Sequence, residues 1–154
     1  MQNQDLRQLA DYLDIVAQVD RTIYFRCRTV TDIHALAKGL ATMLPGTVRT
    51  FIHRGHPLQP DEEDRMVDPL MAGETVLLIY PGETASPLQF AQEWDSFQFN
   101  PTPTIEKPGF LAIVQIFDNE EPIPYEGSTR WIFEEEVKSI EKIGKDLNLD
   151  IIQI

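Results

Sequence analysis

Short segments rich in β-branched, aromatic and other apolar residues alternate along this chain with longer segments whose apolar residues recur every three or four positions. The apolar segments have the β-branched and aromatic content of buried strands, and they cover residues 22–28, 47–53, 75–80, 110–117 and 149–154. Alternation of strands and helices favours parallel pairing with helical crossovers. The sequence therefore predicts an α/β fold around a mostly parallel five-stranded sheet.

Helical spacing of the apolar residues predicts helices over residues 4–19, 32–44, 86–97 and 133–147, and an Asp-rich start indicates a further short helix over residues 61–71. The first forms an N-terminal helix within residues 1–20. Two segments without periodicity, residues 98–109 and 119–129, are predicted to be loops. Because there is no repeat and no linker, we expect residues 1–154 to form a single domain.

The charge is strongly acidic and unevenly distributed. The net charge is −12, yet residues 1–60 hold seven Lys and Arg against five acidic residues, and the remainder holds six against twenty. An acidic surface argues against general nucleic-acid binding, because phosphate contacts need clustered cations. No apolar run is long enough for a membrane span, no export signal is apparent, and the single Cys27 cannot form an internal disulfide. We therefore expect a cytoplasmic protein that binds neither nucleic acid nor membrane.

Basic and aromatic side chains follow the first three predicted strands. Arg26 and Arg28 end the first strand, His53 and Arg54 follow the second, and Tyr80 ends the third, just before Ser86 begins a helix. In open α/β sheets, ligands bind outside the carboxyl ends of the strands. The pattern predicts a rim that binds an anionic group such as a phosphate or pyrophosphate. In the alternative interpretation, these arginines pair with the abundant acidic residues and tie loops together.

Three segments resemble parts of Toll/interleukin-1 receptor (TIR) domains. Residues 22–28 read TIYFRCR and are similar to the opening strand; residues 51–63 read FIHRGHPLQPDEE and are similar to the second strand with its long loop. Residues 74–82, ETVLLIYPG, and 85–93, ASPLQFAQE, resemble the third strand and the helix that carries the family's glutamate. The resemblance covers residues 20–97, and nucleoside deoxyribosyltransferases share the general layout more distantly.

The resemblance implies a flavodoxin-like three-layer sandwich with a five-stranded parallel sheet. Many TIR domains hydrolyse the bond between nicotinamide and ribose in NAD through a glutamate on the helix after the third strand, which here implies Glu93 as the catalytic residue. The ligand-binding residues implied for a nucleotide-type small molecule are Arg26, Arg28 or Arg54 for the pyrophosphate, Tyr24 or Tyr80 for a ring, and Ser86. NAD would be the substrate, with no cofactor, in a stress or defence role.

Two other functions stay open. Arg26, Asp61 and Gln89 stand where the family usually has Ser, Gly and Trp, and an ungapped alignment places Gln92 rather than Glu93 at the catalytic position. These departures favour a catalytically inactive TIR-like adaptor, which would act through a homo-oligomer or a protein partner. The third hypothesis is an acidic inhibitor or immunity protein that binds a basic partner by electrostatic complementarity.

We predict no metal site. His53 and His56 lie three residues apart, with acidic residues at 61–64, but the sequence identifies no third ligand among them. Cys27 is interpreted as a small buried residue, with nucleophile as the alternative. We expect Trp94 and Trp131 to pack in the core.

Overall fold

The structure is a computed structural model that describes residues 6–99, 108–118, 123, 125 and 127–154, the side chains of residues 97–99 excepted. Within these residues the helices are α1 (Arg7–Val19), α2 (Ile33–Ala41), α3 (Pro60–Met71), α4 (Ser86–Phe99) and α5 (Glu134–Gly144). The strands are β1 (Thr22–Cys27), β2 (Val48–Ile52), β3 (Thr75–Pro81), β4 (Leu111–Ile116), β5 (Ser128–Trp131) and β6 (Ile152–Gln153).

The strands form one fully parallel sheet in the order β5-β1-β4-β3-β2-β6. The expected α/β class with a parallel sheet is confirmed, with six strands instead of five. The order also differs in detail from the flavodoxin order 2-1-3-4-5, because β1 lies between β5 and β4 rather than beside β2. Two strands, β4 and β3, therefore separate β1 from β2.

The prediction of a loop over residues 119–129 is wrong at its end, since β5 begins at Ser128 and pairs with β1. All four residues of β5 are only partly buried, so this edge strand lacks the apolar pattern of the central ones. Within the predicted loop 98–109, α4 extends to Phe99. The predicted loop positions 100–107, 119–122, 124 and 126 lie outside the described residues.

Two apolar layers cover the sheet because alternate residues of each strand point to opposite faces. On one face, Ile23, Phe25 and Cys27 of β1 pack with apolar residues of α1, α2 and α5. On the other face, Tyr24 of β1 packs with the cluster that contains Met66 of α3 and Trp94 of α4. The sheet is thus the middle layer of three, and Cys27 and Trp94 are buried as the sequence predicts.

Helices α2 and α5 touch each other through glycines. A Cβ atom on Gly39 would lie 2.1 Å from the carbonyl oxygen of Ile140, and one on Gly144 would lie 1.8 Å from that of Ala35. The two backbones therefore approach more closely than any side chain would allow. This contact holds α5 against α2.

Among the described residues, no helix combines the length and the apolar character that a membrane crossing requires.

Candidate functional site

A row of polar and aromatic residues crosses the sheet near its carboxyl edge. Arg26 of β1 is in register with Trp131 of β5 on one side and with Gln115 of β4 on the other. Gln115 is in register with Tyr80 of β3, and His53 follows β2 directly. The strand ends that the sequence singled out therefore do lie along one edge, as parallel pairing requires.

The centre of this row is a buried hydrogen-bond network. Tyr24 OH donates to Gln115 Oε1 and accepts from an Arg26 Nη atom at 3.3 Å. Gln115 Nε2 donates to the carbonyl oxygens of Gly82 at 2.7 Å and Thr84 at 2.8 Å. Burial raises the pKa of Tyr24, against the lowering effect of the Arg26 hydrogen bond. Arg26 and Tyr24, both predicted to bind ligand, are 5% and 0% exposed and serve to tie strands to a loop.

The structure does not bring the three predicted ligand-binding arginines together. Arg26 is buried, Arg28 is exposed beyond β1, and Arg54 is exposed on the loop after β2. Adjacent strands lie about 4.8 Å apart, so three strand spacings separate β1 from β2 by roughly 14 Å. The physical reason is the strand order, which inserts β4 and β3 between the two groups.

Glu93, the predicted catalytic residue, lies exposed on α4. The pKa of Glu63 on α3 is raised by partial burial first and by repulsion from Glu93 and Asp64 next. Glu93 is therefore close enough to another carboxylate on α3 to oppose its ionisation.

A cavity of about 500 Å³ opens at the carboxyl ends of β5, β1 and β4. Its lining consists of Arg28, Thr29, Asp118, Trp131, Ile132, Phe133, Glu134 and Val137. The volume lies in the range typical of small-molecule sites. The cavity lies outside the carboxyl ends of parallel strands, the edge of an α/β sheet at which ligands bind.

The charged residues that line this cavity are Arg28, Asp118 and Glu134. Arg28 contacts Asp118 across the ends of β1 and β4, with Nη to Oδ1 at 3.1 Å, and both side chains are at least half exposed. Glu134 begins α5, whose first turn holds three consecutive acids, so the positive helix terminus is already compensated. The lining thus carries a net formal charge of −1, which disfavours a free phosphate.

A second cluster lies at the carboxyl ends of β2 and β3. His53 Nε2 lies 2.9 Å from Glu62 Oε1, and His56 Nε2 lies 3.1 Å from Glu62 Oε2. Burial opposes ionisation of Glu62, but hydrogen bonds from His53, from the Gln59 amide and from His56 outweigh it and lower its pKa to about 2. Glu62 is therefore ionised throughout the physiological range.

Tyr80 and Ser86, two further predicted ligand-binding residues, connect the loops of this second cluster. Tyr80 OH donates to the carbonyl oxygen of His56 at 2.5 Å and lies within hydrogen-bonding distance of Thr84 Oγ1. Ser86 Oγ accepts from the Leu58 amide at 2.9 Å. The hydroxyl groups of Tyr80 and Ser86 therefore hold the segments after β2 and β3 together, close to His53 and His56.

The residues that sequence reasoning missed are those that only tertiary contacts identify. Asp118 follows the predicted fourth strand and Phe133 begins the predicted last helix, but neither gave a motif, and Trp131 was assigned to the core although it is only partly buried. Glu62 had a local signal, because Gln59 and Glu62 form a capping box at the start of α3, which turns the Glu62 carboxylate back toward the preceding loop. Comparisons of the chain with protein families, with curated proteins and with solved structures found no match.

Proposed function

We propose that this protein binds a nucleotide of the NAD type, and that the nicotinamide-ribose end enters the cavity at the carboxyl ends of β5, β1 and β4. The observation that carries the proposal is the combination, in one cavity, of partly exposed aromatic rings with a net negative lining. The oxidised nicotinamide ring is planar, aromatic and cationic. Aromatic faces and carboxylates both favour such a ring.

The individual side chains suit the parts of that ligand. Trp131 and Phe133 offer ring surfaces, and Phe133 is 63% exposed. The guanidinium carbons of Arg26 and Arg130 lie 5.6 Å and 5.7 Å from the centres of these two rings, so a cationic ligand would have to take the ring faces that the arginines leave open. Asp118 and Glu134 offer carboxylates that accept hydrogen bonds from ribose hydroxyls. The exposed Arg28–Asp118 pair is worth only about 0–1 kcal/mol, so Arg28 can exchange it for a phosphate at the cavity mouth at little cost.

Cleavage of the N-glycosidic bond would be chemistry of the same site. An oxocarbenium-like ribosyl group is stabilised by a nearby carboxylate. Glu93 lies on the exposed surface of α4, whereas Asp118 and Glu134 line the cavity. We therefore assign any NAD-cleaving activity to the Asp118 and Glu134 carboxylates rather than to Glu93.

The test compares NAD⁺ with NADH by isothermal titration calorimetry, because the two ligands differ mainly in the charge of the nicotinamide ring. Carboxylates at an exposed site contribute about 0.5–1 kcal/mol to a cation, so NAD⁺ should bind about 2- to 5-fold more tightly than NADH. Removal of the Trp131 ring by Trp131→Ala should weaken NAD⁺ binding by about 1–2 kcal/mol, roughly 5- to 30-fold.

Two variants control the interpretation. Asp118→Asn should reduce the preference for NAD⁺ over NADH, while Glu93→Gln, which changes another exposed acid, on α4, should leave both affinities unchanged. NADH binding as tightly as NAD⁺ would refute the charge argument, and no binding of either nucleotide at millimolar concentration would refute the proposed function. Release of free nicotinamide that depends on Glu93 would refute the site.

A second candidate function is the binding of a basic protein. Glu63, Asp64 and Glu93 lie near one another on α3 and α4, and their mutual repulsion contributes to the raised pKa of Glu63. A cationic partner would relieve this repulsion. The test is capture of a basic protein whose binding is lost at high salt and is weakened in the double variant Glu63→Gln, Glu93→Gln. Binding that persists in 1 M salt would contradict this second function. For either function we place the protein in the cytoplasm, in keeping with the buried free thiol of Cys27.

A further inference from the structure

The second cluster combines three side chains that bind metals well. His53 and His56 come from the loop after β2, and Glu62 comes from the first turn of α3. One ligand atom from each lies within 4.8 Å of the others. We propose that His53, His56 and Glu62 form a binding site for a divalent transition-metal ion, with Zn²⁺ as the probe.

The donor set selects the class of metal. Two imidazole nitrogens and one carboxylate oxygen suit Zn²⁺ and its neighbours, whereas Mg²⁺ and Ca²⁺ prefer oxygen ligands alone. Zinc bonds of about 2.0–2.2 Å in a tetrahedral site place neighbouring ligand atoms about 3.4 Å apart. His53 Nε2 lies 2.9 Å from Glu62 Oε1 and His56 Nε2 lies 3.1 Å from Glu62 Oε2, each somewhat less than this spacing, so the three side chains must move apart slightly to admit the ion.

The cluster is held in place by contacts outside the ligand atoms. The Gln59 amide donates to Glu62 Oε1 at 2.9 Å, which fixes the carboxylate. The His53 ring stacks on the Tyr80 ring, with centroids 4.9 Å apart and 18° between the planes. Tyr80 OH also binds the His56 carbonyl oxygen, so one tyrosine positions both histidines. Supporting contacts of this kind orient metal ligands and strengthen binding.

Solvent reaches the cluster from one side. The His53 side chain is fully buried, that of Glu62 is 12% exposed and that of His56 is 43% exposed. A metal ion can therefore approach past His56. Three protein ligands with an open side leave a fourth position for water or another small ligand.

Hydrogen bonds at both ring nitrogens define the tautomer of His53. The Gly55 amide donates to His53 Nδ1 at 3.0 Å, so the ring hydrogen lies on Nε2 and points to Glu62. A metal ion would replace that hydrogen, which then moves to Nδ1 and needs an acceptor. Rotation of the peptide between Arg54 and Gly55 would present the Arg54 carbonyl oxygen there, and the glycine, with φ of +107°, tolerates conformations that other residues do not.

The experiment uses tag-free protein and two metals. Co²⁺ is titrated while its visible absorption is followed, and Zn²⁺ is then added to displace it. We expect one ion per chain. The variants His56→Gln and Glu62→Gln should each weaken binding at least 10- to 100-fold. His56 is exposed, so its replacement is expected to leave the fold intact, which circular dichroism checks.

The chain offers matched controls, because it contains three histidines and the third, His34, lies exposed on α2. His34→Gln and Glu63→Gln should bind metal like the unchanged protein. In the unchanged protein, Zn²⁺ should shift the imidazole nitrogen resonances of His53 and His56 but not those of His34. Absence of one-to-one binding, equal weakening by His34→Gln, or unweakened binding in His56→Gln would overturn the proposal.

Discussion

The Glu62 carboxylate connects α3 to the loop after β2, and its replacement by Gln changes charge with little change in shape. Glu62 Oε1 accepts hydrogen bonds from the Gln59 amide and from His53, and Oε2 contacts His56. A Gln side chain keeps one oxygen for the Oε1 donors and turns an amide group toward His56, whose ring can present its acceptor nitrogen. The substitution therefore removes the negative charge of the side chain and keeps its hydrogen bonds.

The expected loss of stability follows from the hydrogen bonds to the charged oxygen. A hydrogen bond to a charged group contributes about 1.5–3 kcal/mol, against about 1 kcal/mol for a neutral one. Two donors share Oε1, and Glu62 is 12% exposed, so solvent screens little of the difference. We expect Glu62→Gln to lower the free energy of unfolding at pH 7 by about 1–3 kcal/mol.

The pH dependence of this effect has a definite sign. The pKa of Glu62 is about 2 in the folded protein, below the ordinary value of 4.5 that applies to the unfolded chain. A lowered folded-state pKa stabilises the protein above pH 4.5 and loses this contribution as the pH falls from about 4.5 toward about 2. The difference between the unchanged protein and Glu62→Gln should therefore be largest at pH 7 and smaller at pH 3.

Urea denaturation followed by circular dichroism measures this difference at pH 7, 4.5 and 3. Glu63→Gln is the control of opposite sign: because burial and then Glu93 raise the pKa of Glu63, ionised Glu63 opposes folding, and its replacement should leave stability at pH 7 unchanged or slightly higher. A Glu62→Gln variant as stable as the unchanged protein at pH 7, or a difference that grows on acidification, would refute the reasoning.

Two further predictions concern the opposite face of the sheet. Gly144→Ala should destabilise the protein by about 2 kcal/mol, because the added Cβ would overlap the Ala35 carbonyl oxygen at the α2–α5 contact. Urea denaturation measures the loss, with the exposed Glu135→Ala variant as the control. If Gly144→Ala were as stable as this control, the prediction would be wrong. Burial is the larger cause and the nearby Glu141 the smaller cause that raise the pKa of Cys27 to about 12. A thiol reagent at pH 8 should therefore label Cys27 only after unfolding, and rapid labelling of the folded protein would contradict this.

The central strands were predictable because they are buried on both faces. β1, β3 and β4 are almost wholly buried, and their continuous apolar runs define them within one or two residues. β5 was missed because Ser128, Thr129 and Arg130 give an edge strand no apolar run. The last strand was predicted over 149–154 but pairs with β2 only at Ile152 and Gln153.

The candidate site was less predictable than the fold because strand order is a non-local property. The sequence correctly indicates the carboxyl edge as the place where Arg26, Tyr80 and His53 end their strands. It does not indicate that β4 and β3 lie between β1 and β2, which separates Arg28 from Arg54. Local periodicity sets each strand, whereas packing of α2, α5 and the sheet as a whole sets their order.

The strand order also explains why one edge offers two sites of different chemistry. The cavity takes its groups from β5, β1 and β4, where aromatic rings and carboxylates meet, and the histidine cluster takes its groups from beyond β2 and α3. Between them, Gln115 and Tyr80 are buried and hydrogen-bonded to loop carbonyl groups, and the two groups of residues share no side chain. A buried network with its bonds made resists rearrangement. Nucleotide binding at the cavity and metal binding at His53, His56 and Glu62 are therefore independent hypotheses, and a negative result for one leaves the other intact.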